Sequence, residues 1–578
     1  MFKHKFLLNI NKMGVPSFFK YLLNQYKKND FIMQKEIQDR KTQSKLNSIE
    51  YLMLDANGLM HPVCFKVVAD NPTITDNDRL ETLMHNAIIQ YIEQLIDYVK
   101  PTKGVYIAVD GVAPIAKVKQ QRYRRFKSVH DNKLWDNIKK KYNKPLGHFW
   151  NNSVITPGTE FMNRLHVKIL DWMKLQSLKI IYSSCYMPGE GEHKLIEFIK
   201  NNNTNSYIIY GLDADLIFLC LATGLNNLYL LREANEINNK ESQGLLKYVS
   251  IDVLRHVIPD TMKKFIMNID AFNTYNYSKL NDNNLINDFI FLCYFLGNDF
   301  LPHIHAIDIN KEGIEFLLKE YAKVCFNSAK LEYIIDKKYN INQKQLGKLL
   351  EGLSSREEEI LKYNYNSKKH YRIIGSDEYE REKKKIENLN FTIYDPIKIG
   401  SDRHNDWRKR YYNYYWLIED EKELEDFSDK IVNNYIKGLK WVTQYYFIKC
   451  PAWEWYYPFD QAPFLNDINK YINNIKINKI KFPLGKPLRP YVQLLSVLPP
   501  QSSNILPNEL HHLMHNKKSE LIYLYPTDFE QDFINKDKYW KGTPQLPPLD
   551  INMINKIYNK YKNKLKKEPE SHTEFFNY

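Results

Sequence analysis

Two pairs of carboxylates, Glu190/Glu192 and Asp213/Asp215, lie within the stretch MPGEGEHKLIEFIKNNNTNSYIIYGLDADLIFL, Met187 to Leu219. Four negative charges brought to one point repel one another. Hard divalent ions with oxygen ligands, Mg²⁺ or Mn²⁺, relieve that repulsion. Each pair also has an ordinary explanation, since acids favour the first turn of a helix and an aspartate after a strand often closes a turn. The surrounding elements decide between the two.

Glu190 and Glu192 stand at the glycine-punctuated start of a helix expected over His193–Lys200, and Asp213 and Asp215 follow the apolar strand Tyr207–Tyr210. Two further apolar runs, Tyr51–Leu54 and Val105–Val109, end in Asp55 and Asp110, with a helical apolar period over 80–99 between them. Ile180–Tyr182 and Leu228–Leu231 read as additional strands. Strands alternating with helices predict a mostly parallel, twisted sheet flanked by helices, whose sites lie beyond the carboxyl ends of the strands. Asp299, between Gly297 and Pro302, closes an apolar helix that begins near 285, where a plain helix-ending turn would also account for it. After Asp110 comes the basic segment AKVKQQRYRRFK, Ala116–Lys127. On a helix, Lys117, Gln121, Arg124 and Arg125 share one face and could clamp a phosphate. Lys119, Arg122 and Lys127 fall off that face, so a solvated basic surface is the competing reading.

The chain has 578 residues and a formal net charge of +14, which predicts two to four domains and an acidic partner, nucleic acid first and an anionic membrane surface second. The six cysteines form no C-x-x-C pair, which argues against a zinc ribbon and for a reducing compartment. The longest apolar run, Phe289–Leu296, is too short to span a bilayer, and the N-terminal MFKHKFLLNINK lacks the apolar core of a signal peptide, with Met13 an alternative start. Residues 13–327 form a first, acidic block, 328–400 a charged linker with helical pieces, 401–555 a second block rich in aromatics, and 556–578 a basic tail. The aromatics suit base stacking in a basic protein, or simply a core.

The blocks MGVPSFFKYL, LDANGLMH, VDGVAPIAKVKQQRYRRF, ITPGTEFM, PGEGEHKLIEFI, GLDADLIFL, LREAN, FLGNDFLP, WRKRYYNYYW, GLKWVTQYYF, CPAWEWYYPF, QLLSVLPPQSS and YWKGTPQLP occur in this order. Together they resemble the Xrn/Rat group of 5′→3′ exoribonucleases. That resemblance implies a PIN-like, flap-nuclease-like α/β domain with a mainly helical second block packed against it. It implies a seven-acid metal site at Asp55, Asp110, Glu190, Glu192, Asp213, Asp215 and Asp299, holding two Mg²⁺ or Mn²⁺ ions. It implies a 5′-monophosphate pocket at Lys117, Gln121, Arg124 and Arg125, and a terminal base stacked between His61 and either Trp453 or Trp455. Ile115, Glu160 and the run Phe459-Asp460-Gln461 depart from the family pattern. Neither the long C-terminal region of large cytoplasmic members nor the zinc knuckle of nuclear members has a counterpart in the sequence.

The expected activity is processive hydrolysis of 5′-monophosphorylated single-stranded RNA to 5′-mononucleotides in RNA decay. The expected form is a monomer in the cytoplasm, with the nucleus, or a viral host's cytoplasm or virion, as alternatives. A flap-endonuclease-type DNA nuclease and a catalytically inactive RNA-binding scaffold are the rival readings.

Overall fold

The computed structural model describes residues 17–33, 40–146, 150–203, 205–233, 246–269, 279–326, 332–367, 373–404, 406–565 and 576–577. The glycine and proline expected to open the first helix, and the end of the LREAN block, lie outside these residues. The strands are β1 (Ile32–Met33), β2 (Tyr51–Asp55), β3 (Gly104–Ala108), β4 (Ile180–Ser183), β5 (Tyr207–Tyr210), β6 (Leu228–Glu233) and β7 (Leu246–Ser250). Within one eight-stranded sheet the order is β1-β7-β6-β5-β2-β3-β4, closed by a short strand at Phe576–Asn577. The five strands from β6 to β4 run parallel, while β1, β7 and the terminal strand pair antiparallel at the edges.

The chain moves outward from β2 through β3 to β4, then returns to place β5 on the other side of β2. That reversal opens a crevice at the carboxyl ends of β2 and β5, where Asp55 and Asp213 lie. Alternation along the strands serves two cores. Leu52, Leu54, Val105, Ile107, Ile208 and Tyr210 face one side. Met53, Tyr106, Tyr207 and Ile209 face the other, in a core that continues through the helices of the second block as far as Ile534.

The helices that matter for the site are α1 (Ala56–Asp70), α2 (Asn77–Val99), α3 (Ile115–Lys141), α4 (Glu160–Met173), α5 (Gly191–Asn201), α6 (Asp215–Ala222), α7 (Asp282–Cys293), α8 (Gln343–Ser354), α9 (Glu421–Phe447), α10 (Leu465–Tyr471) and α11 (Pro490–Val497). The second block grips α3. Arg122 is fully buried and donates to the carbonyls of Ser496 and Leu524. Lys119 donates to the carbonyls of Tyr457 and Phe459 and pairs with Asp460, which also accepts from the Tyr123 hydroxyl. The basic residues off the expected phosphate face are therefore fasteners between the blocks.

The stretch 328–400, expected as a charged linker with helical pieces, contains α8 at 343–354. Leu346, Leu349, Leu350 and Leu353 of α8 are completely buried and pack against α10. Their i, i+3, i+4, i+7 spacing is that of an amphipathic helix, and the charge of the neighbouring residues obscured it. Most of the aromatics between 407 and 447 are likewise core. Tyr411 and Tyr412 are buried, and their hydroxyls donate to the Ala462 carbonyl and to Asp467. Leu349→Ala is expected to destabilise the whole chain by about 2–5 kcal/mol, read as a shift of the main urea transition. A separately melting linker would leave that transition in place.

Candidate active site

Each acid of the predicted set is delivered by the end of an element. Asp55 is the last residue of β2 and caps α1, Asp110 lies just beyond β3, Glu190 caps α5 with Glu192 in its first turn, Asp213 follows β5, and Asp215 begins α6. Asp299 follows α7 and the tight turn at Gly297, whose φ is 85°. The approach is close enough to need glycine. A Cβ on Gly111 would fall 1.8 Å from the Met187 carbonyl oxygen. One on Gly191 would meet Asp55 Oδ1 at 3.1 Å and Asp110 Oδ1 at 3.3 Å. The Gly191 N–H donates to Asp110 Oδ1 at 2.6 Å, and the Asp110 N–H donates to Asn57 Oδ1 at 3.0 Å.

Lys117 lies among these carboxylates. Its Nζ is 2.5 Å from Glu190 Oε2 and 2.6 Å from Asp299 Oδ2. Burial works against its charge, but Asp299, Glu190 and Glu192 outweigh burial and hold its pKa well above the ordinary lysine value. The carboxylates remain under strain. Burial first, and then Asp110 and Asp213, push Asp55 well up. Burial likewise raises Glu192 and Asp110, with Lys117 opposing in both cases. Asp213 is pushed up to about 6 and Asp215 to about 7, chiefly by burial. Glu192 Oε2 is buried with no donor.

The second block reaches into the site. Tyr445 of α9 donates to Glu190 Oε1 at 2.6 Å, and the Tyr446 hydroxyl bonds Asp215. His193 packs against the Tyr445 ring, and one ligand atom from each of Glu190, Glu192 and His193 lies within 4.8 Å of the other two. His193, Tyr445 and Tyr446, none of them among the residues expected from the sequence, join the acids here. Two adjacent tyrosines in an aromatic-rich helix carry no local sign that both reach the acids. Two other buried cations are tied to carbonyls. Lys194 donates to the Val109 and Ser184 carbonyls, and Arg232 to those of Leu212 and Asp213.

A donor set of seven carboxylates with one orphaned buried oxygen fits hard divalent cations. Asp55, Asp110, Glu190, Glu192, Asp213, Asp215 and Asp299 are the residues that would hold them.

The predicted phosphate face divides in two. Lys117 is on the acids, whereas Gln121, Arg124 and Arg125 lie further along α3. Arg125 donates to Thr156 Oγ1 at 2.7 Å, which ties it to the ITPGT turn. Its Nη1, Gln121 Oε1 and His61 Nδ1 are all buried without partners. Burial pushes Arg125 down to about 9, with Arg124 adding to the effect. Burial, Arg124 and Arg125 push His61 down to about 3, so it is neutral. Unsatisfied polar groups gathered beside two guanidinium groups suit an anion. Of the two candidate tryptophans, Trp455 stacks on Trp441, with centroids 5.2 Å apart. Trp453 has no such ring partner among the described residues, and its Cη2 faces Gly189 at the acidic loop, 4.0 Å from where a Cβ would sit. Its backbone is fixed by the Ile115 N–H and the Leu484 carbonyl.

A family model described as "XRN 5'-3' exonuclease N-terminus" matches residues 13–234, and one described as "Xrn1 helical domain" matches 279–397 and 375–575. The 5'-3' exoribonuclease 2 of Arabidopsis thaliana is 30% identical over 93% of this chain and 66% of its own length. That of Debaryomyces hansenii is 28% identical over 94% of this chain and 69% of its own. The 5'-3' exoribonuclease 1 of Homo sapiens is 29% identical over 96% of this chain and 34% of its own. The chain thus spans from about a third to about two thirds of the length of these curated relatives.

The raised carboxylates set a pH dependence. A carboxyl whose folded pKa lies above its unfolded value stabilises fully below the unfolded pKa and loses that stabilisation as pH rises through the folded one. Asp213 and Asp215 place that loss between the ordinary carboxylate range and about 7. In EDTA, the melting temperature is expected to fall across this window. The stabilisation by Mg²⁺ is expected to be larger at pH 8 than at pH 5. Equal stabilisation at both, followed by thermal scanning, would contradict the assignment.

Proposed function

The chain belongs to the XRN 5′-3′ exonuclease family, and on that premise we propose that it is a 5′-3′ exoribonuclease of RNA decay that removes nucleotides one at a time from 5′-monophosphorylated single-stranded RNA. The observation that carries the reading is the pairing, on the single helix α3, of a cation engaged with the acids, Lys117, and an anion pocket at Gln121, Arg124 and Arg125. A helix rises about 1.5 Å per residue, so Gln121 and Arg125 stand about 6 and 12 Å along the axis from Lys117. A 5′-phosphate seated in the pocket is thereby held at a fixed distance from the carboxylates.

Bound there, divalent ions would supply activation of the attacking oxygen and stabilisation of the leaving one. The residues of the chain do the rest. Arg125, steadied by Thr156, donates to the terminal phosphate together with Arg124. His61 and Gln121 complete the ring, His61 as its Nδ1–H tautomer and Gln121 with its amide turned to donate. The exposed part of the Trp453 ring offers a π-face to the first base, which holds any base equally. Tyr445 fixes Glu190, and the Gly191 N–H fixes Asp110, so that the acids keep their orientation. Cleavage one nucleotide in leaves a new 5′-phosphate, which the same pocket captures. Direction and processivity share that origin.

Asp213→Asn is expected to lower turnover by at least about a thousandfold, on the scale of lost electrostatic stabilisation, while RNA binding persists in a filter assay. Undiminished turnover in Mg²⁺ would overturn the metal assignment. Arg125→Met is expected to erase the preference for 5′-monophosphate over 5′-hydroxyl RNA in matched degradation assays. Faster cutting of a 5′-flap DNA than of single-stranded RNA would favour a flap-type nuclease instead.

A further inference from the structure

Of the buried cations around the acids, Lys194 and Arg232 are satisfied by backbone carbonyls. Lys117 places its charge directly on carboxylate oxygens of the set expected to hold metal, bridging Glu190 from the β4 side and Asp299 from α7. Its Nζ stands 5.9 Å from the Phe300 ring centre, beside Asp299. An ammonium at 2.5 and 2.6 Å from two carboxylates takes oxygens that a divalent ion would need. The ammonium and an ion therefore compete for Glu190 Oε2 and Asp299 Oδ2, as like charges drawn to the same oxygens.

The stem of Lys117 leaves α3 on the face that carries Gln121, Arg124 and Arg125. Four methylenes on one attachment point let the ammonium turn from the acids toward that pocket without moving the helix. The acid set is also loose around it. Among the described residues, only Glu190, Glu192 and His193 form a group of three or more with ligand atoms all within 4.8 Å of one another, and Glu192 Oε2 has no donor.

We propose that Lys117 is a built-in placeholder cation, which occupies the carboxylates until divalent ions displace it and which then supplies its charge to the 5′-phosphate in the neighbouring pocket. Metal occupancy and capture of the 5′-phosphate are therefore coupled through one side chain. Each must strengthen the other by the same factor, because linkage is reciprocal. The inference deepens the nuclease reading and rests on it.

The test is Mn²⁺ binding to the full chain without RNA, measured by titration calorimetry and by the spin-resonance signal of free Mn²⁺. Lys117→Met removes the competing charge and nearly keeps the shape. It is expected to bind Mn²⁺ more tightly, on the order of tenfold, a size typical of coupling between sites, and to melt earlier than the wild type in EDTA but not in Mn²⁺. A second measurement needs only the wild type. A 5′-phosphorylated oligonucleotide with non-hydrolysable linkages should raise Mn²⁺ affinity, and its 5′-hydroxyl counterpart should not. Unchanged or weaker Mn²⁺ binding in Lys117→Met overturns the placeholder while leaving the nuclease reading intact. Equal Mn²⁺ affinity with both oligonucleotides does the same. No Mn²⁺ binding by the wild type overturns both.

Discussion

The fold holds buried carboxylates together against their own repulsion. Seven acids from the ends of β2, β3, β5, α5, α6 and α7 are turned toward one crevice, and burial pushes several of their pKa values upward. Nothing in their local structure requires that proximity. It is imposed by the parallel sheet, whose reversal of strand order beside β2 brings the carboxyl ends of β2 and β5 side by side. The close approach also depends on the small volume of Gly111 and Gly191. Lys117 is the counterweight, and its place on the acids ties α3, which carries the proposed phosphate pocket, to the carboxylates.

The second block supports that arrangement through two cores. Leu494, Leu495 and Tyr558 pack with Ile115, Val118 and Phe126 of α3 in one, and one face of the sheet shares the other with α7, α8, α9 and α10. From that core Tyr445 and Tyr446 reach Glu190 and Asp215, while Arg122 and Lys119 anchor α3. Two of the departures from the family pattern, Ile115 and Asp460, fall on this seam. Ile115 is buried and donates its N–H to the Trp453 carbonyl, and Asp460 pairs with Lys119. Neither residue touches the acids.

Much of this is legible in the sequence because it is local. An apolar run ending in aspartate marks a strand and its carboxyl end together, so the places of Asp55, Asp110 and Asp213 follow from the residue pattern itself. The basic helix is legible in the same way, but its division is not. Lys117 and Arg125 look equivalent by spacing, and only long-range neighbours separate a lysine among acids from an arginine on a threonine. The strand β1 is only two residues long and β7 is interrupted by Lys247 and Ser250, so neither leaves a clear apolar run. The leucines of α8 are hidden by the charge around them. Trp453 and Trp455 sit two residues apart with the same chemistry, and only the stack on Trp441 occupies one and leaves the other facing Gly189.

The central claim is that the crevice between β2 and β5 is a divalent-ion site. Anomalous diffraction from crystals of the full chain soaked in Mn²⁺ tests it most directly. The account predicts two peaks about 4 Å apart, bounded by Asp55, Asp110, Glu190, Glu192, Asp213, Asp215 and Asp299, with the Lys117 ammonium moved off Glu190 and Asp299. Peaks elsewhere, or none with Lys117 still bridging the two acids at saturating Mn²⁺, would contradict it.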